Sequence, residues 1–428
     1  MREDIKERIE ICSVGKVPDG YKKCIASIIP NDWNEMDFCE CATIQSGLVD
    51  PKKQPYSDMK HIGPENIEKD TGRIVNVVRA KDQGLISGKF AFDENSIIYS
   101  KVRPKLNKVC MPEFDGICSA DCYVMQVKEN INKEYLYWFI LSEYFLKQAI
   151  ACSMRTKMPK VNQNEINSFK INVPSLREQS GIVKTLKTYE DYCELLQKLI
   201  KQKVKYFEWL AEQLLNGKIR ISNSTDKWKK VKIGQFIDEI NEKTTHNNQY
   251  EILSVTKNGI CLQKDQFNKQ IASNDNIGYK IVKKGNLVFS TMNLWMGSLD
   301  VLNSYNIGMV SPAYKVFKFN SNIMLNEFGK YYMKSKHMIW RYKINSEQGA
   351  SVVRRNLDLK GLLNNVVSIP TVYEQRKIAE ILMAVEKEIK LLEEKMQYVQ
   401  QEKKAMMKLL LSGTVRMNEI YGDELYGY

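Results

Sequence analysis

Two stretches of the chain carry an apolar residue at alternating intervals of four and three. In the first, Ile182, Leu186, Tyr189, Cys193, Leu196, Ile200, Phe207, Leu210 and Leu214 mark the seam, and Lys203 interrupts it. In the second, Ile378, Leu382, Val385, Ile389, Leu392, Met396, Val399, Met406 and Leu410 do the same, with Lys403 as the interruption. A seam that returns every three and a half residues predicts a coiled-coil helix. Ser175 and Thr371 have the chemistry of N-caps, with Glu178 and Glu374 three positions on as capping-box partners and Pro174 and Pro370 just outside. Gly217 and Gly413 suit left-handed C-caps. Between cap and glycine lie about 41 residues, or roughly 60 Å of helix at 1.5 Å per residue. Gly181, beside Ser180, weakens the first helix by about 1 kcal/mol relative to alanine, so a frayed or bent start is expected there.

The two helices are copies. From Pro174 through Arg220 the chain aligns with itself at an offset of 196 without a gap, and twelve of the 47 pairs are identical. Short apolar or alternating runs extend the repeat, and they read as strands. The segment from Trp33 to Phe38 corresponds to Trp228–Ile233, Asn95–Ser100 to Asn286–Ser290, and Ser119–Val127 to Ser311–Phe319. Each half also holds an aromatic, helix-like stretch, Glu134–Ala151 and Leu325–Tyr342. A repeat this long is a duplicated domain and not a solenoid unit. The expected fold is α+β with pseudo-two-fold internal repetition: an N-terminal arm and first domain over 1–172, a helix over 173–221, a second domain over 222–368, a helix over 369–417 and a tail over 418–428. The helices are expected to pair as an antiparallel coiled coil, because four heptads exceed what one small domain covers. The alternative is that each helix packs only on its own domain. Trp33 and Trp228, in apolar strand contexts, are expected in the core.

Charge narrows the class of partner. Lys+Arg 64 against Asp+Glu 51 gives a formal net charge of +13, which favours a polyanion, either nucleic acid or an anionic membrane surface. No run approaches the ~20 apolar residues of a membrane span and the N-terminus lacks a secretory core, so a cytoplasmic protein without membrane attachment is expected. The ten cysteines form no Cys-x2-Cys pair and the three histidines are scattered, so reduced thiols and no metal site are expected.

Catalytic chemistry lacks material. The chain has no Pro-Pro dipeptide, so the Asn/Asp-Pro-Pro-aromatic pocket of DNA amino-methyltransferases is absent; it has no Gly-x-Gly and no Gly-x4-Gly-Lys-Ser/Thr phosphate loop. Pro18-Asp19 with Asp50-Pro51-Lys52 can be written as a degenerate nuclease string, but Pro51 suits the centre of a strand poorly. The residues describe a binder and not an enzyme.

The twice-used Pro-x3-Glu-Gln opening, the long helix and its Leu-Leu-x-Gly ending resemble the specificity subunit of type I restriction-modification systems. His61-Ile-Gly-Pro-Glu-Asn-Ile-Glu-Lys-Asp-Thr-Gly72, Tyr99-Ser-Lys-Val-Arg-Pro104 and Val310-Ser-Pro-Ala-Tyr314 are similar to segments of its target recognition domains. The resemblance runs from about Asn31 to Arg416. It implies that each domain reads one half of a bipartite, asymmetric sequence in double-stranded DNA. It implies too that the helices space the domains and dock two methyltransferase subunits, with two motor-nuclease subunits joining. No cofactor is then expected in this chain, while S-adenosylmethionine, ATP and Mg belong to the partners. An RNA-binding or nucleoid scaffold protein with two basic domains is the alternative.

Candidate DNA-binding residues are Lys101, Arg103, Lys105, Asn107 and Lys108 at a strand exit, and Arg155, Lys157 and Lys160 before Pro174. The second domain offers Lys257, Asn258, Asn293, Arg354, Arg355 and Asn356. Arginine and lysine suit phosphates and guanine edges, and asparagine suits adenine. Thr291-Met-Asn-Leu-Trp295 stands where the first domain has Lys101-Val-Arg-Pro104, so the halves are expected to read different bases. Ile182, Leu186, Leu196, Leu214, Ile378, Leu382, Leu392 and Leu410 are expected at the helix pair and partner interface.

Overall fold

Each half of the chain builds one four-stranded antiparallel sheet with the same strand order. In the first half Ala42–Ile44, Cys122–Val127, Ile97–Ser100 and Val109–Cys110 lie side by side; in the second, Ile237–Ile240, Tyr314–Phe319, Leu287–Ser290 and Leu299–Val301 do so. Successive strand residues point to opposite faces, and the third strand of each sheet is buried on both. Ile97 and Tyr99 enter one core while Ile98 enters another; Leu287 and Phe289 repeat this on one side of their strand and Val288 on the other. That explains why these strands read as continuous apolar runs. A second sheet in the first half contains a parallel strand pair, Lys60–Ile62 with Gly116–Cys118.

The computed structural model describes residues 2–153, 159–221, 227–257, 259–266, 275–348 and 355–425, with side chains up to 422. The chain divides into two units, Met1–Leu196 with Lys395–Tyr428, and Gln197–Glu394. In each, the helix-like aromatic stretch is two helices and not one. Lys133–Leu141 stops before Glu143–Ser153, and Asn326–Tyr332 before Lys336–Ile344. A serine hydroxyl ends the first helix of each pair by donating to the carbonyl three residues back, Ser142 to Phe139 and Ser335 to Tyr332, both at 2.6 Å. Nothing in apolar periodicity announces such a stop.

The long helices span Leu176–Leu215 and Val372–Leu411. The first runs straight through Gly181, contrary to the expected fray; hydroxyls of Ser180 and Thr185 donate to carbonyls of Leu176 and Gly181 in that turn. Gly217 and Gly413 adopt φ of 66° and 70°, the left-handed caps. The helices pair as expected, and neither packs only on its own domain. Ile182 and Leu186 join the first core together with Met407, Leu410 and Leu411, so that unit is completed by the start of one helix and the end of the other. Leu210, Leu214, Ile378 and Leu382 complete the second core in the same way. Each such leucine or isoleucine removed from water contributes roughly 1.5 to 3 kcal/mol. Cys193 and Leu196 are also buried, and the helices run antiparallel within each unit.

Glu178 and Glu374 do more than cap. The backbone N–H of each donates to the hydroxyl of Ser175 or Thr371 at 3.3 Å, which is half of a capping box. The carboxylates do not reach back to the cap as expected. Glu178 instead accepts from the Arg416 guanidinium at 2.8 Å and the Trp33 indole at 3.0 Å. Glu374 accepts from Arg220 at 2.7 Å and Trp228 at 3.3 Å. Both arginines follow a capping glycine, so each helix start is tied to the end of the other helix. Trp33 is fully buried, whereas Trp228 is only half-buried.

The chain ends add a contact that periodicity did not announce. A helix at Glu3–Ser13 meets the segment 413–419, which reaches into the tail expected over 418–428; Arg8 pairs with Glu419 at 2.8 Å and donates to the Thr414 carbonyl. All ten cysteines are free. Among the described residues no helix is long and apolar enough to cross a membrane.

Candidate nucleic-acid interface

In each unit the loop leaving the doubly buried strand is pinned to the segment that precedes the last short strand before the long helix. In the first unit Arg103 N–H donates to the Pro159 carbonyl at 2.8 Å and Val161 N–H to the Lys101 carbonyl at 3.0 Å. In the second, Arg355 N–H donates to the Met292 carbonyl at 3.2 Å. This pairing brings together residues some sixty positions apart in sequence, gathering several basic side chains in the first unit and Arg355 in the second.

The first loop is held in a demanding backbone shape. Arg103 and Asn107 both adopt left-handed φ, 50° and 44°, on either side of the short 3-10 turn Pro104–Leu106. For residues with a Cβ this conformation persists only where the surroundings fix it. Asn107 supplies part of that fixation: it is buried and its amide donates to the Leu141 carbonyl at 2.8 Å. It is therefore a structural lock and not an exposed reader, which corrects its place among the DNA-facing candidates. Lys108 is half-buried, with its ammonium on the Pro64 carbonyl. Both residues hold the His61–Gly72 segment, where Asp70 N–H donates to the Asn107 carbonyl and Gly72, at φ 73°, lies so close to the Tyr137 hydroxyl that a Cβ has no room. That motif is thus built into the core helix Lys133–Leu141.

Arg103, Lys105 and Lys160 remain exposed on this loop pair. Lys101 is half-buried over the Tyr123 ring at 5.0 Å. Burial, and then the like charge of Lys160, push its ammonium below the ordinary lysine range. A cationic cluster that depresses its own member's pKa is one that an approaching anion relieves.

The second unit is arranged differently. Asn293 opens the 3-10 turn Leu294–Met296 and is half-buried, Asn356 is exposed, and Lys257 is exposed at the far turn. Arg355 lies on the Trp295 ring, 4.8 Å from its centroid. Sequence reasoning named the arginine and passed over the tryptophan, because an aromatic residue in a loop carries no periodic signal. Arg155, Lys157, Asn258 and Arg354 lie outside the described residues. Of the seam positions, Ile182, Leu186, Leu196, Leu214, Ile378, Leu382 and Leu410 are buried and Leu392 is half-buried.

Residues 30–206 match the family described as the type I restriction modification DNA specificity domain. Over those residues the chain is similar to type I specificity subunits. The chain is 32% identical over 201 residues to the EcoDI specificity subunit of Escherichia coli, covering 47% of this chain and 44% of that protein. To the MjaVIII specificity subunit of Methanocaldococcus jannaschii it is 25% identical over 235 residues, 47% of this chain and 50% of that one. It thus spans about half the length of these curated relatives. A solved chain from work on assembly and conformational transition of a type I R-M system superposes with a TM-score of 0.56 at 18% identity, covering 90% of this chain and 99% of that one. The HsdS subunit from Thermoanaerobacter tengcongensis gives 0.50 at 18%, with 90% and 98% covered. At such identities these two likenesses establish the shared fold alone.

Proposed function

We propose that this chain is a type I specificity subunit that reads a bipartite, asymmetric site in double-stranded DNA, one half with each unit, and supplies no catalysis of its own. The observation that carries this reading is the duplicated loop pair: on the same sheet, the first unit brings three exposed cations beside its doubly buried strand and the second unit brings Arg355. The two sets differ in kind, exposed Arg103, Lys105 and Lys160 against Arg355 stacked on Trp295, which suits two different half-sites. Phosphate contacts from such cations position a protein on the duplex and base-edge contacts specify sequence.

The absent donor loop, amino-group pocket and phosphate loop leave methyl transfer and ATP hydrolysis to other subunits. The paired long helices offer the surface on which two methyltransferase subunits dock, with two motor-nuclease subunits completing the assembly. S-adenosylmethionine, ATP and Mg then bind those partners. Such a complex works on chromosomal DNA in the cytoplasm.

Adenine methylation sequenced genome-wide in strains with and without this chain is the deciding experiment. Loss of one asymmetric bipartite motif is expected. An unchanged methylome, together with tighter binding to structured RNA than to duplex DNA in a gel shift, would instead support an RNA scaffold.

A further inference from the structure

Arg355 is held in a way the fold does not require. An offset of 196 relates Asn162, the N-cap of one short helix, to Asp358, the N-cap of its counterpart, and the buried Ile166 to the buried Leu362. By that offset Arg355 stands where the first unit has Pro159. The same backbone run is therefore built without an arginine. In the second unit its backbone is fixed twice, by the Gln348–Arg355 pairing of the hairpin Ser346–Gln348 with Arg355–Leu357 and by its N–H on Met292. Its guanidinium is fixed by the Trp295 face.

The hydrogen bonding is incomplete. Among the described residues the buried Nε of Arg355 has no partner, and Nη1 donates to the Ser346 carbonyl at a long 3.5 Å. Arg355 has no carboxylate partner among the described residues, unlike Arg416 and Arg220 in the junctions. Sheltering a polar N–H without a partner is unfavourable, so a purely structural role does not account for it. A stack that fixes the plane of a guanidinium and leaves donors over is matched to a planar, bidentate acceptor. In the major groove the base edge that offers two acceptors side by side is guanine, through O6 and N7.

We infer that Arg355 reads a guanine in the half-site of the second unit, with Trp295 as the positioning residue that holds its fork. The inference rests on the proposed DNA reading. A phosphate also accepts the fork in bidentate fashion, and the experiment separates that contact from a base contact.

The test uses the complete methyltransferase complex containing this chain and its own site as found by methylome sequencing. Each guanine of the site is replaced in turn by 7-deazaguanine, which keeps Watson–Crick pairing but lacks the N7 acceptor. One guanine, in one half-site only, should become sensitive, with methylation slowed roughly ten-fold, as expected for one lost base contact. Arg355→Ala should be indifferent to that replacement, and Arg355→Lys should respond less than the wild type while keeping its charge and its affinity for unrelated sequence. Trp295→Ala should blunt the sensitivity and Trp295→Phe restore it. The inference is overturned if Arg355→Ala weakens binding to all sequences alike and lowers the salt dependence, the mark of a phosphate contact. It is overturned equally if the variant keeps the wild-type response at every guanine. A wild-type complex that methylates without sequence preference would overturn the DNA-specificity reading itself, and is distinguishable from both.

Discussion

At the scale of single residues, the junction glutamates show how one position serves two purposes. Pro-x3-Glu-Gln at a helix start is legible in sequence as a cap, and the hydroxyl half of that cap is present. The carboxylate's other role, accepting from an arginine 238 positions away, is not legible locally. Burial works against the Arg416 charge, yet hydrogen bonds to Glu178 and Asp32 hold its pKa above the ordinary arginine value. Glu178→Gln keeps the shape and removes the charge. It should lower stability by roughly 1 to 3 kcal/mol in urea denaturation, the range for a charged hydrogen bond lost in a sheltered site. A change within a few tenths would mean that Asp32 alone suffices. His337 gives a pH signature of its own. Burial first, and then the nearby Arg341, push its pKa down to about 4 from 6.5, and Ser335 and the Tyr332 ring enclose it. The unfolded chain binds this proton before the folded one does. Its contribution is thus intact above pH 6.5 and is lost as pH falls toward 4, up to about 3 kcal/mol. His337→Gln should flatten the pH dependence of unfolding in that window and leave it unaltered above pH 7.

At the scale of elements, the seams were the most legible feature, because a 3.5-residue period over four heptads survives any single exception. The exceptions themselves were opaque. Lys203 and Lys403 read as polar breaks, and each forms an ion pair with the opposite long helix, with Glu388 and Glu190 respectively. Their environments differ. Lys403 and Glu190 are 15% and 21% exposed and the ammonium lies 4.7 Å from the Trp138 ring, whereas Lys203 and Glu388 are 32% and 48% exposed. Lys403→Gln should therefore cost roughly 1 to 3 kcal/mol, because a sheltered carboxylate loses its cation. Lys203→Gln should cost under about 0.5 kcal/mol. Equal shifts of the urea midpoints would contradict that ordering. The split aromatic helices were opaque for a different reason: Ser142 and Ser335 stop their helices by a hydroxyl bond, and serine in an apolar stretch reads equally well as helix surface.

At the scale of the whole molecule, duplication was visible because both copies kept the helix ends in register, and the loop pairs were not, because they join segments far apart in sequence. The same duplication frames a test of the long helices as a ruler between two DNA readers. Arg416 with Glu178 and Arg220 with Glu374 tie each helix start to the other helix's end, so lengthening one helix alone would mismatch both ties. Matched insertions of four residues, after Lys198 and after Lys395, lengthen both together by about one turn, or ~6 Å, and advance the phase by only about 40°. That is close to two base pairs at ~3.4 Å each. Methylome sequencing of this double variant should show both half-sites keeping their bases while the gap between them grows by one or two base pairs. Matched insertions of two residues swing each seam through roughly 200° and should abolish assembly. An active four-residue variant with an unchanged gap would show that the helices serve as a docking surface and do not set the spacing.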